Sequence, residues 1–239
     1  WRTARPANDF TVILPHLTEL LNLGRQAAQA KSEALGIPPY QALVDFYEPD
    51  ATTDQIDKLF GDYATFLPEF LDKVLTPQAT EATPILPNGP FPTHLQEKLC
   101  RRLAEAVGFD FGTGRLDTTL HPFSGGIPED SRITTRYDEA DFTSAMMAVL
   151  HETGHAMYER GRPAGWRYQP VGETPGLGMH ESQSLIVEMQ ASRSREFIGW
   201  LAPIARAALG GQGDSWSSDN LYRLSTRVEC SFIRVDADE

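Results

Sequence analysis

Apolar residues recur at intervals of three and four along much of this chain, a spacing that predicts a mainly α protein. Within residues 9–30, "DFTVILPHLTELLNLGRQAAQA", Leu14, Leu17, Leu20 and Leu21 form one such stripe. Pro15 sits early enough for a first turn to tolerate it, and Gly24 weakens the second half. Residues 52–75, "TTDQIDKLFGDYATFLPEFLDKVL", predict another helix, opened by Thr52 and Gln55 at capping-box spacing and interrupted near Gly61 and Pro68. Both stretches are expected to be packing elements. In residues 93–109 Leu95, Leu99 and Leu103 share a stripe, and Gly108 is placed to stop the helix.

Between these helices, residues 77–92 carry five prolines and cannot form one regular element. The pattern changes again at residues 114–142, where 132–137 mix β-branched and polar residues between turn signals and predict one or two short strands. Helical spacing returns from Asp141 or Thr143 to Arg160, with Gly161 placed to end it. Residues 161–180 read as a glycine- and proline-rich loop, and 181–201 as helix once more. The expected organisation is a helical region over 1–76, a Pro-rich connector over 77–92 and a catalytic region over 93–239, together one continuous domain. The chain starts without Met and stops at "RVDADE" with no turn or tail signal, as expected of a fragment of a longer chain.

Composition narrows the function classes. With 33 acidic against 21 basic residues the net charge is -12, which argues against a general affinity for nucleic acid or an anionic membrane. Cys100 and Cys230 are too few for a disulfide framework and too far apart for a CxxC metal site, so two free, mostly buried thiols are expected. No apolar run approaches the roughly 20 residues of a membrane span, and the start lacks signal-peptide order. A soluble, cytoplasmic protein is the expectation.

The chemistry concentrates in "LHETGH", residues 150–155. On a helix, His151 and His155 project from one face a turn apart and can reach a single tetrahedral metal ion, with Glu152 adjacent as general base. This is the HExxH arrangement of zinc peptidases. The competing reading, a surface helix with two solvated histidines, is weakened by Met146, Met147, Val149 and Leu150, which predict a buried helix. A catalytic zinc takes three protein ligands. The metzincin pattern is excluded, because Tyr158 and Gly161 stand where Gly and His would be required. Of the downstream glutamates Glu159, Glu173, Glu181, Glu188 and Glu196, Glu181 is preferred, since it is expected to open a helix that packs beside the first.

"HPF" at 121–123, "DSRITTRY" at 130–137, "HETGH" at 151–155, "HESQS" at 180–184 and "IRVDADE" at 233–239, with "NDF" and "YEPDATTDQIDKLF" earlier, resemble in order the motifs of the thermostable carboxypeptidase Taq family, the M32 metallocarboxypeptidases. The resemblance implies a helical zincin-type metallopeptidase with a short β element beside a deep active-site groove. It implies a homodimer that removes single residues from peptide C-termini using zinc or another divalent ion such as cobalt. Its ligands would be His151, His155 and Glu181. For the terminal carboxylate a guanidinium fork is the natural partner, and Arg132 and Arg234 lie in family-like motifs, Arg234 being preferred. Each has a plainer alternative in an ion pair with a neighbour such as Asp130 or Asp236. His121 and His180 are expected to stabilise the transition state or orient Glu181, Gln183 is a weaker candidate, and the strand near 132–137 is expected to pair with a bound peptide by edge addition.

Family members are considerably longer, so this chain alone is expected to be poorly active. Two other functions remain open at this level: a zincin that cuts internally or from the N-terminus, the latter weakened by the lack of a GxMEN motif, and a metal-binding or dimerising fragment without turnover.

Overall fold

The structure, a computed structural model, describes residues 3–229. Among the described residues, eight α-helices and three strands follow in the order α1 Leu14–Leu35, α2 Pro39–Tyr47, α3 Thr53–Gln78, α4 Thr93–Val107, β1 Gly114–Thr118, β2 Ser124–Ile127, β3 Asp130–Thr135, α5 Phe142–Gly161, α6 Leu177–Leu185, α7 Arg195–Leu209 and α8 Ser218–Thr226. The chain is therefore mainly α, and it forms two compact units that divide between Leu67 and Pro68. No described helix is long and apolar enough to cross a membrane.

In the first unit α1 starts with Pro15 in its opening turn and ends at Gly36, whose left-handed φ of 69° lets its N–H cap Ser32. Gly24 does not interrupt it. The short α2 has no counterpart in the periodicity. The Thr52–Gln55 capping box forms as expected: Thr52 N–H donates to Gln55 Oε1 at 3.0 Å, and Gln55 N–H to Thr52 Oγ1 at 3.3 Å. The expected break at Gly61 and Pro68 does not occur, and α3 runs through both. A proline deletes one backbone bond of a helix, and in so long a helix the neighbouring turns hold the path. The apolar stripe of α1 is largely uncovered: Leu20 is 66% and Leu21 50% exposed.

The second unit has two adjoining cores, and α4 and α5 serve both. Leu99, Leu103, Phe142, Met146 and Leu150 pack with Ile198, Leu201 and Ala205 of α7 and with Trp216. Cys100, Ala104, Val149 and Ala156 pack with Leu116 of β1 and Ile133 of β3. A helix packed on two sides must be apolar well beyond one stripe. Burial pushes the Cys100 thiol up to about 12, so it acts as a small apolar side chain; Cys230 lies outside the described residues.

Three strands form rather than one or two. Their order is β1-β3-β2, with β1 parallel to β3 (Leu116 opposite Ile133) and β2 antiparallel to it (Gly125 opposite Arg132). β3 is thus the central strand, paired with β1 over Ser131–Thr135 and with β2 over Asp130–Ile133, which corrects the expectation of edge addition where both neighbours are present. The sheet is tied to α5 where Thr135 Oγ1 donates to the Ala145 carbonyl at 3.2 Å.

Past α5, the expected single helix over 181–201 is broken in two. α6 opens four residues earlier than expected, at Leu177, a π-helical segment spans Ile186–Ala191, and α7 restarts with Ser194 as N-cap, its side chain accepting from Phe197 N–H.

Candidate metal centre

The centre is built where α6 crosses α5, and a glycine permits the crossing. A Cβ on Gly154 would lie 2.6 Å from Ser184 Cα and 2.7 Å from the Gln183 carbonyl oxygen, so only glycine lets the two backbones approach this closely. Asp141 fixes the start of α5 by accepting from Thr143 N–H at 2.8 Å. His151 and His155 then stand one turn apart and reach the face of α6 that carries Glu181.

Glu181 Oε1 lies 3.4 Å from His151 Nε2, and Glu181 Oε2 lies 3.3 Å from His155 Nε2. Both histidines are buried and Glu181 is half-buried. Among the described residues these three form the one cluster of His, Cys, Asp and Glu whose donor atoms all lie within 4.8 Å of each other. Two imidazole nitrogens and a carboxylate gathered this closely are the donor chemistry that a zinc-like divalent ion takes.

Electrostatics point the same way. Burial opposes charge on His151, but the hydrogen bond to Glu188 and the charges of Glu152, Glu181 and Glu188 outweigh it and lift its pKa to about 9. Carboxylates that favour a proton there also favour a cation. Burial, aided by His180 and His151, pushes His155 down to about 4 against the pull of Glu181, so it stays neutral with a free lone pair. Glu152 is buried next to His151, 6% exposed, and within its electrostatic reach.

The other predicted residues are placed differently. His180 stacks on His155, ring centroids 4.3 Å apart, and its Nε2 lies 3.2 Å from Glu159 Oε1. Glu159 also accepts from Thr174 Oγ1 at 3.1 Å and pairs with Arg162 Nε at 3.0 Å. Arg132 is exposed on β3, its Nη2 donating to Asp130 Oδ2 at 2.7 Å, the plainer of its two expected states. His121 is exposed in the turn between β1 and β2. Neither Arg132 nor His121 hydrogen-bonds to the His151, His155 and Glu181 group. Gln183 donates to Ser182 Oγ at 3.1 Å. Arg234 lies outside the described residues.

Sequence reasoning missed the partner of His151 Nδ1, which is Glu188 Oε2 at 3.1 Å. Glu188 appeared only as a rival ligand. A signal was present, since it follows Glu181 by seven residues, two helical turns on the same face.

The family model for carboxypeptidase Taq (M32) metallopeptidases matches residues 1–239. The chain is 38% identical to thermostable carboxypeptidase 1 of Thermus thermophilus and 32% identical to carboxypeptidase 1 of Bacillus subtilis, with 100% of this chain and 48% and 47% of those proteins covered. Among solved structures it matches Trypanosoma cruzi metallocarboxypeptidase 1 with a TM-score of 0.90 at 44% identity. It matches an M32 carboxypeptidase from Deinococcus radiodurans R1 with 0.84 at 33%, each over 100% of this chain and 48% of the other. The chain thus spans about half the length of the curated relatives it matches. Matched from residue 1 to residue 239, it belongs to the carboxypeptidase Taq (M32) family of metallopeptidases.

Proposed function

We propose that this centre serves a metal-dependent carboxypeptidase, releasing single residues from the C-termini of peptides, with His151, His155 and Glu181 as ligands and Glu152 as general base. The observation that carries the reading is the approach of the two Glu181 oxygens to the two imidazole Nε2 atoms, at 3.4 and 3.3 Å. Zinc is the ion proposed and cobalt the alternative, as an imidazole and carboxylate donor set accepts either. A divalent ion held there supplies Lewis acidity, polarising a peptide carbonyl and lowering the pKa of water from 15.7 to about 7.

The chain's own groups handle the protons. Glu152 accepts one at a carboxylate oxygen as water adds to the carbonyl carbon, and returns one to the departing amine nitrogen as the C–N bond breaks. Its burial keeps bulk water from competing for that proton. Arg234 is proposed to hold the terminal carboxylate; Arg132 would have to exchange its pair with Asp130 to do so. The stacked ring of His180 is proposed to limit rotation of His155. A homodimer, peptide substrates and a cytoplasmic site of action complete the proposal, on the family resemblance. For this chain alone we propose metal binding with slow turnover, because groove walls in the remaining half of such a protein would position the scissile carbonyl.

The test is Glu152→Gln in the whole protein, which should keep its metal and lose activity by ~100-fold or more. Turnover near the parental rate would remove Glu152 as base. Equal cleavage of C-terminally amidated and free peptides by the parent would overturn the exopeptidase reading.

A further inference from the structure

Ligation through Nε2 of His151 would leave its Nδ1 to a different partner. That nitrogen lies 3.1 Å from Glu188 Oε2, and both side chains are only 7% exposed. The other oxygen of Glu188 accepts from Arg193 Nη2 at 2.7 Å, and Arg193 Nη1 donates to the Ser225 carbonyl at 3.1 Å. A buried carboxylate engaged at both oxygens cannot swing away without leaving charge unpaired. With an ion held at Nε2, His151 would keep its one proton on Nδ1 and donate it to Glu188, the tautomer that a ligand needs.

The backbone is shaped for this. In an unbroken α-helix a residue seven positions after Glu181 returns to the same face, roughly 20° out of phase. Here α6 ends at Leu185 and the next turn widens into the π segment, closed by Ser192 N–H donating to the Val187 carbonyl at 2.9 Å. Such wide single turns sit at functional sites more often than in plain packing helices. One continuous stretch, residues 181–188, thereby supplies a carboxylate to each nitrogen of the same ring.

We propose that Glu188, held by Arg193, is a positioning residue that fixes the ring and tautomer of His151 for metal ligation; this rests on the metal-site reading above. The experiment measures cobalt affinity by chelator competition, and the visible cobalt spectrum, on the whole protein. Glu188→Met keeps the volume and removes the acceptor, and should weaken binding by about 10- to 100-fold with an altered spectrum. Glu188→Gln retains an acceptor without the charge, and should lose less, about three- to tenfold, so it decides the matter if the methionine variant does not fold. Either folded variant binding within about twofold of the parent, with the parental spectrum, would overturn the proposal even if its unfolding midpoint moved. His155→Ala separates the two levels: if it too binds cobalt like the parent, the metal site itself is misassigned, whereas metal loss in His155→Ala with parental Glu188 variants sinks only the role of Glu188.

Discussion

Helix α3 spans 26 residues without burying one of them, whereas α5 buries twelve of its 20, His151, Glu152, Thr153 and His155 among them. Both read as helix from their periodicity. Along α3 the apolar face remains open, with Phe60 at 64% and Phe66 at 54% exposure. A stripe of apolar residues states that a helix has a face to cover and is silent about what covers it. α5 is the reverse case. Apolar residues on two sides place it between two cores, so polar groups on its remaining face lie deep in the protein and must be satisfied by specific partners. Buried polarity on an otherwise apolar helix is the better marker of chemistry.

The comparison can be broken most directly in the cores. Leu150→Ala should lower unfolding free energy by about 2–5 kcal/mol, while Phe60→Ala on α3 should stay within about 0.5 kcal/mol, both read by denaturant titration. Similar losses would mean that α3 depends on packing as heavily as α5 does.

Next in size is one substitution made in both helices. Gly154→Ala forces a Cβ against the backbone of Gln183 and Ser184 and should cost about 1–3 kcal/mol, with weakened metal binding in the same variant. Gly61→Ala meets nothing within 4 Å and should stabilise by about 0.4–1 kcal/mol. A shared sign would refute the account of the α5–α6 crossing.

The smallest effect concerns the cap. Burial opposes ionisation of Asp141, but hydrogen bonds from Ser144 and Thr143 outweigh it and hold its pKa below the usual carboxylate range. A lowered native pKa contributes stability above the unfolded value, near 3.9, that is lost as pH falls through the native one. Asp141→Ala should therefore cost about 1 kcal/mol at neutral pH, and the gap between the two proteins should close in acid. A gap independent of pH would point to lost packing instead.

What was legible in the sequence was local. The i, i+4 histidines, the Thr52–Gln55 box and the Gly108 stop each depend on a few neighbouring residues, and each forms. Glu181 is preferred among several glutamates because it is expected to open a helix packing beside the first; that helix does pack there, though it opens at Leu177. Glu188 stands by its spacing on the face of Glu181, but spacing alone does not say which of two carboxylates ligates and which orients. β2 could not be read, since its "SGGI" has almost no side chains to alternate. The open stripe of α1 was hidden for a different reason: periodicity carries no information about an absent or present neighbour.

Two of the principal packing partners of α5 in the second unit, β3 and α6, are its neighbours along the chain, the third, α4, lies just beyond the small sheet, and the three donors fall within residues 151–181. Closing so short a loop costs little entropy, and topologies dominated by near-neighbour contacts fold fast. The scaffold that carries these donors thus belongs to the class of substructures able to assemble early, before the polypeptide has to find its distant contacts. Amide exchange should then be slowest along α4 and α5, and a pulse-labelling experiment on the refolding protein would see those helices protected first.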